Sequence, residues 1–404
     1  MSEEAIQPGE HVERFINKLI CENDIKNVIE IKYQSGAQAG DGYASRQIAV
    51  AIITDDDVFN FFVKSILKVI PNDTVPIDKL FSTEINFYNV VYPAYRKFLN
   101  EKEATHVFHH VPKCYGTSKE DGVIVLENLK HRGFTLYDRT VPMGRVHLEL
   151  VLKTFAKFHA VSFAFKDQDR NTYRQLVDNS HGDVLSKIMS AEVSVQMIKI
   201  IVKDFLAQLD PVQDKKILDQ CEDLIGKLLE SVSSPKQYVN EYSILTQADC
   251  WCNNVMFSYT NETPTDVVLI DWQLLREASP VFDFSFFVYT IASAEVLDNL
   301  SYYLDFYYKH LSDTIRELGS DPDVMYPKDV FEREWKQHGK YGFGMAFISV
   351  RMMLAAKDEV MKMEEINLAN THDVSKMYLK FKKQKEFTAR MKLLAEHVIK
   401  NNLL

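Results

Sequence analysis

Between Tyr242 and Gln273, two short β-rich stretches at 243–245 and 266–270 flank a polar loop that holds Asp249 and Asn254. The second stretch includes Val267-Val268-Leu269-Ile270, apolar at every position as in a strand covered on both faces, and Asp271 follows it directly. A buried strand that delivers a carboxylate at its tip, beside a loop with a second carboxylate and an amide, gathers a base and two oxygen ligands at one point. Burying that much charge is costly unless it is paired or meets a cation. The rest of the chain has to be arranged around this segment.

The 404 residues are enough for two packed lobes. Upstream, short β-branched runs at 27–32, 46–53, 58–66 and 122–126 read as strands of one sheet, with a single helix predicted over 78–99 from Leu80, Ile85, Phe87, Tyr88 and Val91. Downstream of Leu129 the periodicity becomes helical, at 145–165, 184–209, 214–231, 281–311, 331–354 and 373–401. The expected fold is α+β: a small β-rich lobe over 1–128 that binds nucleotide, and a larger, mostly α-helical lobe over 129–404 with the polar loop and a substrate pocket.

The chemistry suited to these residues is phosphoryl transfer. It needs a cation for the phosphates, a carboxylate and a second oxygen for Mg²⁺, and a carboxylate that takes the proton of an acceptor hydroxyl. The segment Gln247-Ala248-Asp249-Cys250-Trp251-Cys252-Asn253-Asn254-Val255-Met256-Phe257, then Ile270-Asp271-Trp272-Gln273, resembles the H-G-D-x-x-x-x-N loop and I-D-[WF] strand of choline and aminoglycoside kinases. Ser279-Pro280-Val281-Phe282-Asp283 resembles the downstream motif whose aspartate braces that loop. The D-C-W-x-N-N-x-M-F form and the D-[WF]-Q form are closer still to the ecdysteroid kinase-like, choline kinase-like family, of protein-kinase-like fold.

That resemblance implies an ATP- and Mg²⁺-dependent phosphotransferase with an alcohol group as acceptor. Asp249 corresponds to the catalytic base, Asn254 and Asp271 to the metal ligands, Lys64 to the phosphate anchor and Glu84 to its partner. Gly40, Gly42 and Ser45 correspond to the phosphate lid, and the hinge from Glu127 to Leu129 to the nucleotide-base site. Read alone, Lys64 is a surface lysine and the glycine loop an ordinary turn; only the downstream loop gives them a role. The family's association with ecdysteroid phosphorylation and detoxification suggests a compact, apolar steroid or xenobiotic acceptor. The aromatic clusters at Tyr302-Tyr303, Phe306-Tyr307-Tyr308, Tyr341-Gly342-Phe343 and Met352-Met353 fit either an apolar pocket or core packing.

The loop departs from the pattern at Gln247 and Ala248, where His-Gly is usual. An amide at Gln247 offers a donor in place of the histidine, and Ala248 is expected in an ordinary backbone conformation. The competing reading is an impaired kinase that binds nucleotide or ligand without turnover. A protein kinase fits less well, because the chain reaches Pro280 nine residues after Asp271 with no Ala-Pro-Glu segment.

A net charge of -10 argues against a nucleic-acid footprint. The basic stretch from Lys376 to Lys392 reads as a solvated helix face. Five cysteines without a repeated pair spacing, and an acidic Met1-Ser2-Glu3-Glu4 start with no bilayer-length apolar run, lead to the expectation of a reduced, cytoplasmic protein without a membrane or protein partner. His106, His109 and His110 lie in an apolar, strand-like stretch and read as structural, and His159 reads as a packing residue on the helix after the hinge.

Overall fold

Strand β3 (Val58–Ile66) buries Phe61 and Val63 on one face and turns Phe62 and Lys64 to the other, and this alternation sorts the sheet into a packed side and a working side. A computed structural model describes residues 5–36, 45–67, 76–180, 183–220, 224–233, 235–356, 358–359 and 381–404. In it β1 (Val28–Ser35), β2 (Ser45–Thr54), β3, β4 (Cys114–Ser118) and β5 (Val123–Glu127) form one antiparallel sheet in the order β1-β2-β3-β5-β4. Helix α1 (Glu10–Glu22), not anticipated from the sequence, covers the packed side. It lays Val12, Phe15, Ile16 and Leu19 against Ile48, Val50, Val63, Val123 and Val125.

The single helix predicted over 78–99 is three pieces: α2 (Ile77–Asn86), a π-helical turn (Phe87–Val91) and α3 (Tyr92–Glu101). Pro93 supplies the reason. It has no N–H for the carbonyl four residues back and its ring crowds that carbonyl, so the ladder widens just ahead of it. The histidine stretch at 106–110 is turn and irregular chain, not strand.

The C-terminal part carries α4 (Arg145–Gln168), α5 (Arg170–Asn179), α6 (Val184–Ser190), α7 (Glu192–Ala207), α8 (Lys215–Gln220) and α9 (Leu224–Ser233). After the segment 244–278 come α10 (Pro280–Ile291), α11 (Ala294–Asp298), α12 (Leu300–Glu317), α13 (Pro322–Met325), α14 (Lys328–His338), α15 (Lys340–Leu354) and α16 (Gln384–Lys400). Short strands β6 (Thr135–Leu136), β8 (Val255–Thr260) and β9 (Thr263–Leu269) form one small sheet, and β7 (Ile244–Thr246) with β10 (Arg276–Ala278) another. Three of the long predicted helices, over 184–209, 281–311 and 331–354, are each broken inside their span among the described residues. Over 281–311, Ser293 accepts from Val296 N–H and caps α11 where periodicity alone ran on.

Helix α10 is buried on every residue, as a helix apolar all round must be. It meets α15 at Gly342, where an added Cβ would lie 2.0 Å from Ser285 O. The aromatic clusters prove to be core: Tyr303, Tyr307, Tyr341, Phe343 and Met353 are buried, while Tyr302 lies on the surface beneath the Arg145 guanidinium. In the basic stretch, Lys382, Lys383 and Lys392 pair with Asp358, Glu386 and Asp214, and Lys376 and Lys380 lie outside the described residues. No helix among the described residues is long and apolar enough to cross a membrane.

Candidate functional site

Lys64 sits on the working side of β3 and is almost fully buried. Its Nζ donates to both carboxylate oxygens of Glu84 on α2, at 2.8 and 2.9 Å, and to Asp271 Oδ1 at 3.0 Å. Burial works to lower the pKa of this ammonium, and Asp271 and Glu84 together override it and raise it, so Lys64 stays charged. Glu84 accepts a further bond from the backbone N–H of Trp272. One cation therefore ties a sheet strand, a helix and the tip of the β9 segment together.

Asp271 has a φ of +63°, a left-handed turn that ends the buried run and stops it from continuing as strand. Asp249 is held from its own loop: Asn254 Nδ2 donates to Asp249 O at 3.0 Å and to Asp249 Oδ2 at 2.7 Å. Gln273 adds a side-chain hydrogen bond to the same carboxylate. Burial, then repulsion from Asp271, pushes the Asp249 carboxyl up to about 7, against the pull of Asn254, Lys64 and Gln273.

The loop is braced from beneath. Asp283, on the first turn of α10, accepts the N–H of Gln247 at 2.8 Å and of Ala248 at 3.0 Å. His159 Nε2 reaches Asp283 Oδ2 at 3.2 Å, and its Nδ1 meets the Tyr307 hydroxyl at 2.7 Å. His159 is thus tied into the loop's support rather than merely packed. The Gln247 amide donates to Ile270 O at 2.8 Å, beside Asp271. Ala248 overturns the sequence expectation: its φ is +65°, the conformation glycine adopts without strain, because both loop N–H groups have to turn toward one carboxylate.

An open cleft runs from this cluster to the chain at residues 127–130. Its walls include Phe62, Leu126, Leu136, Met256 and Ile270, with Lys64, Asn254 and Asp271 at one end. Glu127, Asn128 and Leu129 line it as well. The Glu127 carboxylate accepts from Lys113 N at 2.7 Å and from Arg132 at 2.8 Å, and the backbone N–H groups of Glu127 and Asn128 donate to Lys113 O at 2.8 Å and Asn60 O at 3.2 Å. Leu129 opens a 3₁₀ turn capped by Asn128, whose Oδ1 accepts from Lys130 N–H at 3.2 Å and whose carbonyl accepts from His131 N–H at 3.0 Å. Ser45 begins β2 two residues before Gln47, which lines the cleft; Ser45 does not, and Gly40 and Gly42 lie outside the described residues.

The donor set suits a hard divalent cation. Asp271, Asn254 and Asp249 offer oxygens only, and Asn254 spends its nitrogen on Asp249, which turns its oxygen away from that contact. Three carboxylates, those of Glu84, Asp249 and Asp271, gather around the single ammonium of Lys64, an excess of negative charge that a divalent cation offsets.

Elsewhere, one ligand atom each from His109, His110 and Asp266 lies within 4.8 Å of the others. The two rings stack 26° from parallel, so their lone pairs do not converge, and His110 Nδ1 is engaged with Val267 O at 2.9 Å. His106 pairs with Glu317 on the surface. Cys250 and Cys252 are buried and unpaired, and Cys221 lies outside the described residues.

Two residues with a place in the site had no role in the sequence reading. Gln273 stood in the D-[WF]-Q pattern as a spelling only, and Asp183, which ion-pairs at 2.9 Å with Arg276 on β10 behind the loop, lies far from any motif.

The sequence model of the ecdysteroid kinase-like family matches residues 39–320. No curated protein matches the chain. Among solved structures it is similar to an ethanolamine kinase of Plasmodium vivax, with 12% identity over 99% of this chain and 92% of that one and a TM-score of 0.45. A choline kinase of Cryptosporidium parvum Iowa II gives 12% identity over 97% and 98%, with a TM-score of 0.44. The choline kinase LicA of Streptococcus pneumoniae gives 16% over 85% and 99%, with a TM-score of 0.37.

Proposed function

Because the chain belongs to the ecdysteroid kinase-like family, we propose that it is a kinase that transfers the γ-phosphate of ATP to a hydroxyl of a compact, apolar small molecule, an ecdysteroid or other steroid or a xenobiotic. The observation that carries this reading is Lys64 bonded at once to Glu84 and Asp271, with Asn254 lining the same end of the cleft and bonded to the Asp249 carboxylate.

In this reading Asp249 takes the proton of the acceptor hydroxyl as it attacks the γ-phosphorus, and Asn254 and Gln273 keep its carboxylate aimed. Lys64 grips the α- and β-phosphates and Glu84 orients Lys64. Asn254 and Asp271 hold Mg²⁺, which when bound offsets charge on the phosphate oxygens. The adenine would sit among Phe62, Leu136 and Met256, near Glu127 to Leu129, and by resemblance the phosphate lid falls to Gly40, Gly42 and Ser45, of which Gly40 and Gly42 lie outside the described residues and Ser45 does not line the cleft. The proposed setting is the cytoplasm, in steroid turnover or detoxification. The acceptor class rests on the family, since the aromatic clusters are core.

A non-catalytic binder is the weaker alternative. Gln247 supplies a donor to Ile270 O, and Ala248 accepts the left-handed turn despite its Cβ; a loop free of catalytic demand has no use for either.

The test is purified protein with ATP and Mg²⁺ against ecdysteroids, plant phenolic glycosides, choline and aminoglycosides, with product read by mass. Asp249→Asn should lower kcat by about 10² to 10⁴ while nucleotide KM stays close to wild type. Normal turnover in that variant removes Asp249 from its role. Nucleotide binding without product from any acceptor favours the binder.

A further inference from the structure

Trp272, the residue after Asp271, is fully buried, and its indole lies face to face on Phe87 with ring centroids 4.0 Å apart and planes 6° from parallel. Phe87 is fully buried too, and stands three residues after Glu84 at the start of the π-helical turn. The other side of the contact is fixed: Phe158 of α4 meets the indole edge-on at 5.0 Å, one residue before His159, which supports the loop through Asp283. The backbone N–H of Trp272 meanwhile donates to Glu84. Trp272 thus touches the helix that carries Glu84, by ring and by backbone, and a helix of the other lobe.

The only other tie between α2 and Asp271 described for this cluster is Lys64 itself, whose long stem has no means of fixing where the helix sits. A flat aromatic contact does fix it, because sliding the helix along or away from the sheet separates the rings. The π-helical turn fits this demand: one widened turn lets the neighbours Phe87 and Tyr88 both be buried. The indole Nε1 is buried without a hydrogen-bond partner, a cost that phenylalanine would not carry, so the position uses the ring face and not the N–H.

We propose that Trp272 and Phe87 are positioning residues: their stack holds α2 at the spacing at which Glu84 and Asp271 clamp Lys64. As a statement about catalysis it rests on the kinase reading; as a statement about Lys64 it does not.

The experiment reads Lys64 directly. Full-length wild type, Phe87→Ala, Trp272→Ala and Trp272→Phe, each shown to unfold cooperatively, are treated with limiting acetic anhydride, and Lys64 acetylation is measured by peptide mass spectrometry. Loss of the stack should raise Lys64 labelling about five-fold or more in Phe87→Ala and Trp272→Ala, as the clamp opens locally, and leave Trp272→Phe within about two-fold of wild type. In a Glu84→Gln background, where the clamp is already broken, Phe87→Ala should add little, whereas a merely structural role adds the same increment in both backgrounds. If Phe87→Ala does not fold, Phe87→Leu keeps most of the apolar volume without the flat face and carries the same expectation. Unchanged labelling in folded Phe87 and Trp272→Ala variants, or equal increments with and without Glu84→Gln, overturns the proposal. Absence of kinase turnover in wild type with the labelling pattern intact defeats the proposed function and leaves the positioning role standing.

Discussion

Ala248 is the point at which reading the residue and reading the chain part company. Its methyl group gives no sign of a left-handed backbone, and the φ of +65° follows only from Asp283, which collects two successive N–H groups from far along the chain. Relieving the Cβ should show as stability: Ala248→Gly is expected to be about 0.5–1 kcal/mol more stable in urea unfolding, since alanine at positive φ costs more than glycine's extra freedom in the unfolded chain. That Lys64, Glu84, Asp271, Asp249 and Asn254 come together was legible because the phosphoryl-transfer reading asked for those residue types and the spacing within the loop is local. Asp183 was not, since an aspartate that caps α6 and pairs with a buried arginine has no signature in its neighbourhood. Burial works to raise its pKa, and Arg276 with the Ser186 hydroxyl and N–H overrides that and holds the carboxyl below the usual range. A folded pKa below the unfolded value of about 3.9 means that the pair's contribution is complete above that pH and is lost as pH falls through the folded value. Asp183→Asn, which leaves the Arg276 cation buried without a carboxylate, should cost about 3 kcal/mol at neutral pH and flatten this part of the acid-unfolding curve. Urea midpoints measured from pH 7 to pH 3 check both.

At the scale of elements, strands were easier to place than helix boundaries. The β3 strand was read with its observed limits because alternation and turns bound it on both sides, whereas helical periodicity runs straight through a cap. Pro93 and Ser293 both stood in the sequence as stop signals inside apolar patterns that outweighed them. α1 escaped notice because it precedes the first strand and its buried partners are spread over three strands of the sheet. The crossing of α10 and α15 was illegible for another reason: glycine at 342 gives no hint of what lies above it until both helices are in place. With its Cβ position 2.0 Å from Ser285 O, a backbone atom that has no rotamer to escape through, Gly342→Ala must push the helices apart. The expected loss is about 3 kcal/mol or more by chemical unfolding. Because α10 carries Asp283, turnover should fall further than the remaining folded fraction accounts for.

Across the whole molecule, the two lobes meet at a cleft whose electrostatics can be argued from four residues. Lys64 is the one ammonium tied into a group with Glu84, Asp249 and Asp271, and burial has already pushed Asp249 up to about 7 rather than let all three carboxylates ionise freely. A nucleotide polyphosphate alone would add negative charge to a site that holds an excess of it, so nucleotide binding should depend on the divalent cation rather than merely be aided by it. Cation and nucleotide together would reverse the balance, since Asp271 and Asn254 would hold the metal charge that offsets the phosphates. Binding that favours the folded state stabilises it by about 2.7 kcal/mol at a ligand concentration 100 times Kd, which for a chain of this length corresponds to a rise in Tm of about 3 °C. ADP with Mg²⁺ should therefore raise Tm by about that amount, ADP with EDTA by less than about a third of it, and Mg²⁺ alone by little. Asp271→Asn should remove most of the difference between the two ADP conditions, because it takes away the Lys64-bonded carboxylate that would hold the metal. A Tm shift with ADP that is the same with and without EDTA would mean that the acidic cluster is not a metal site, and the carboxylates would then need a partner other than the phosphates' counter-ion to explain why they are gathered there.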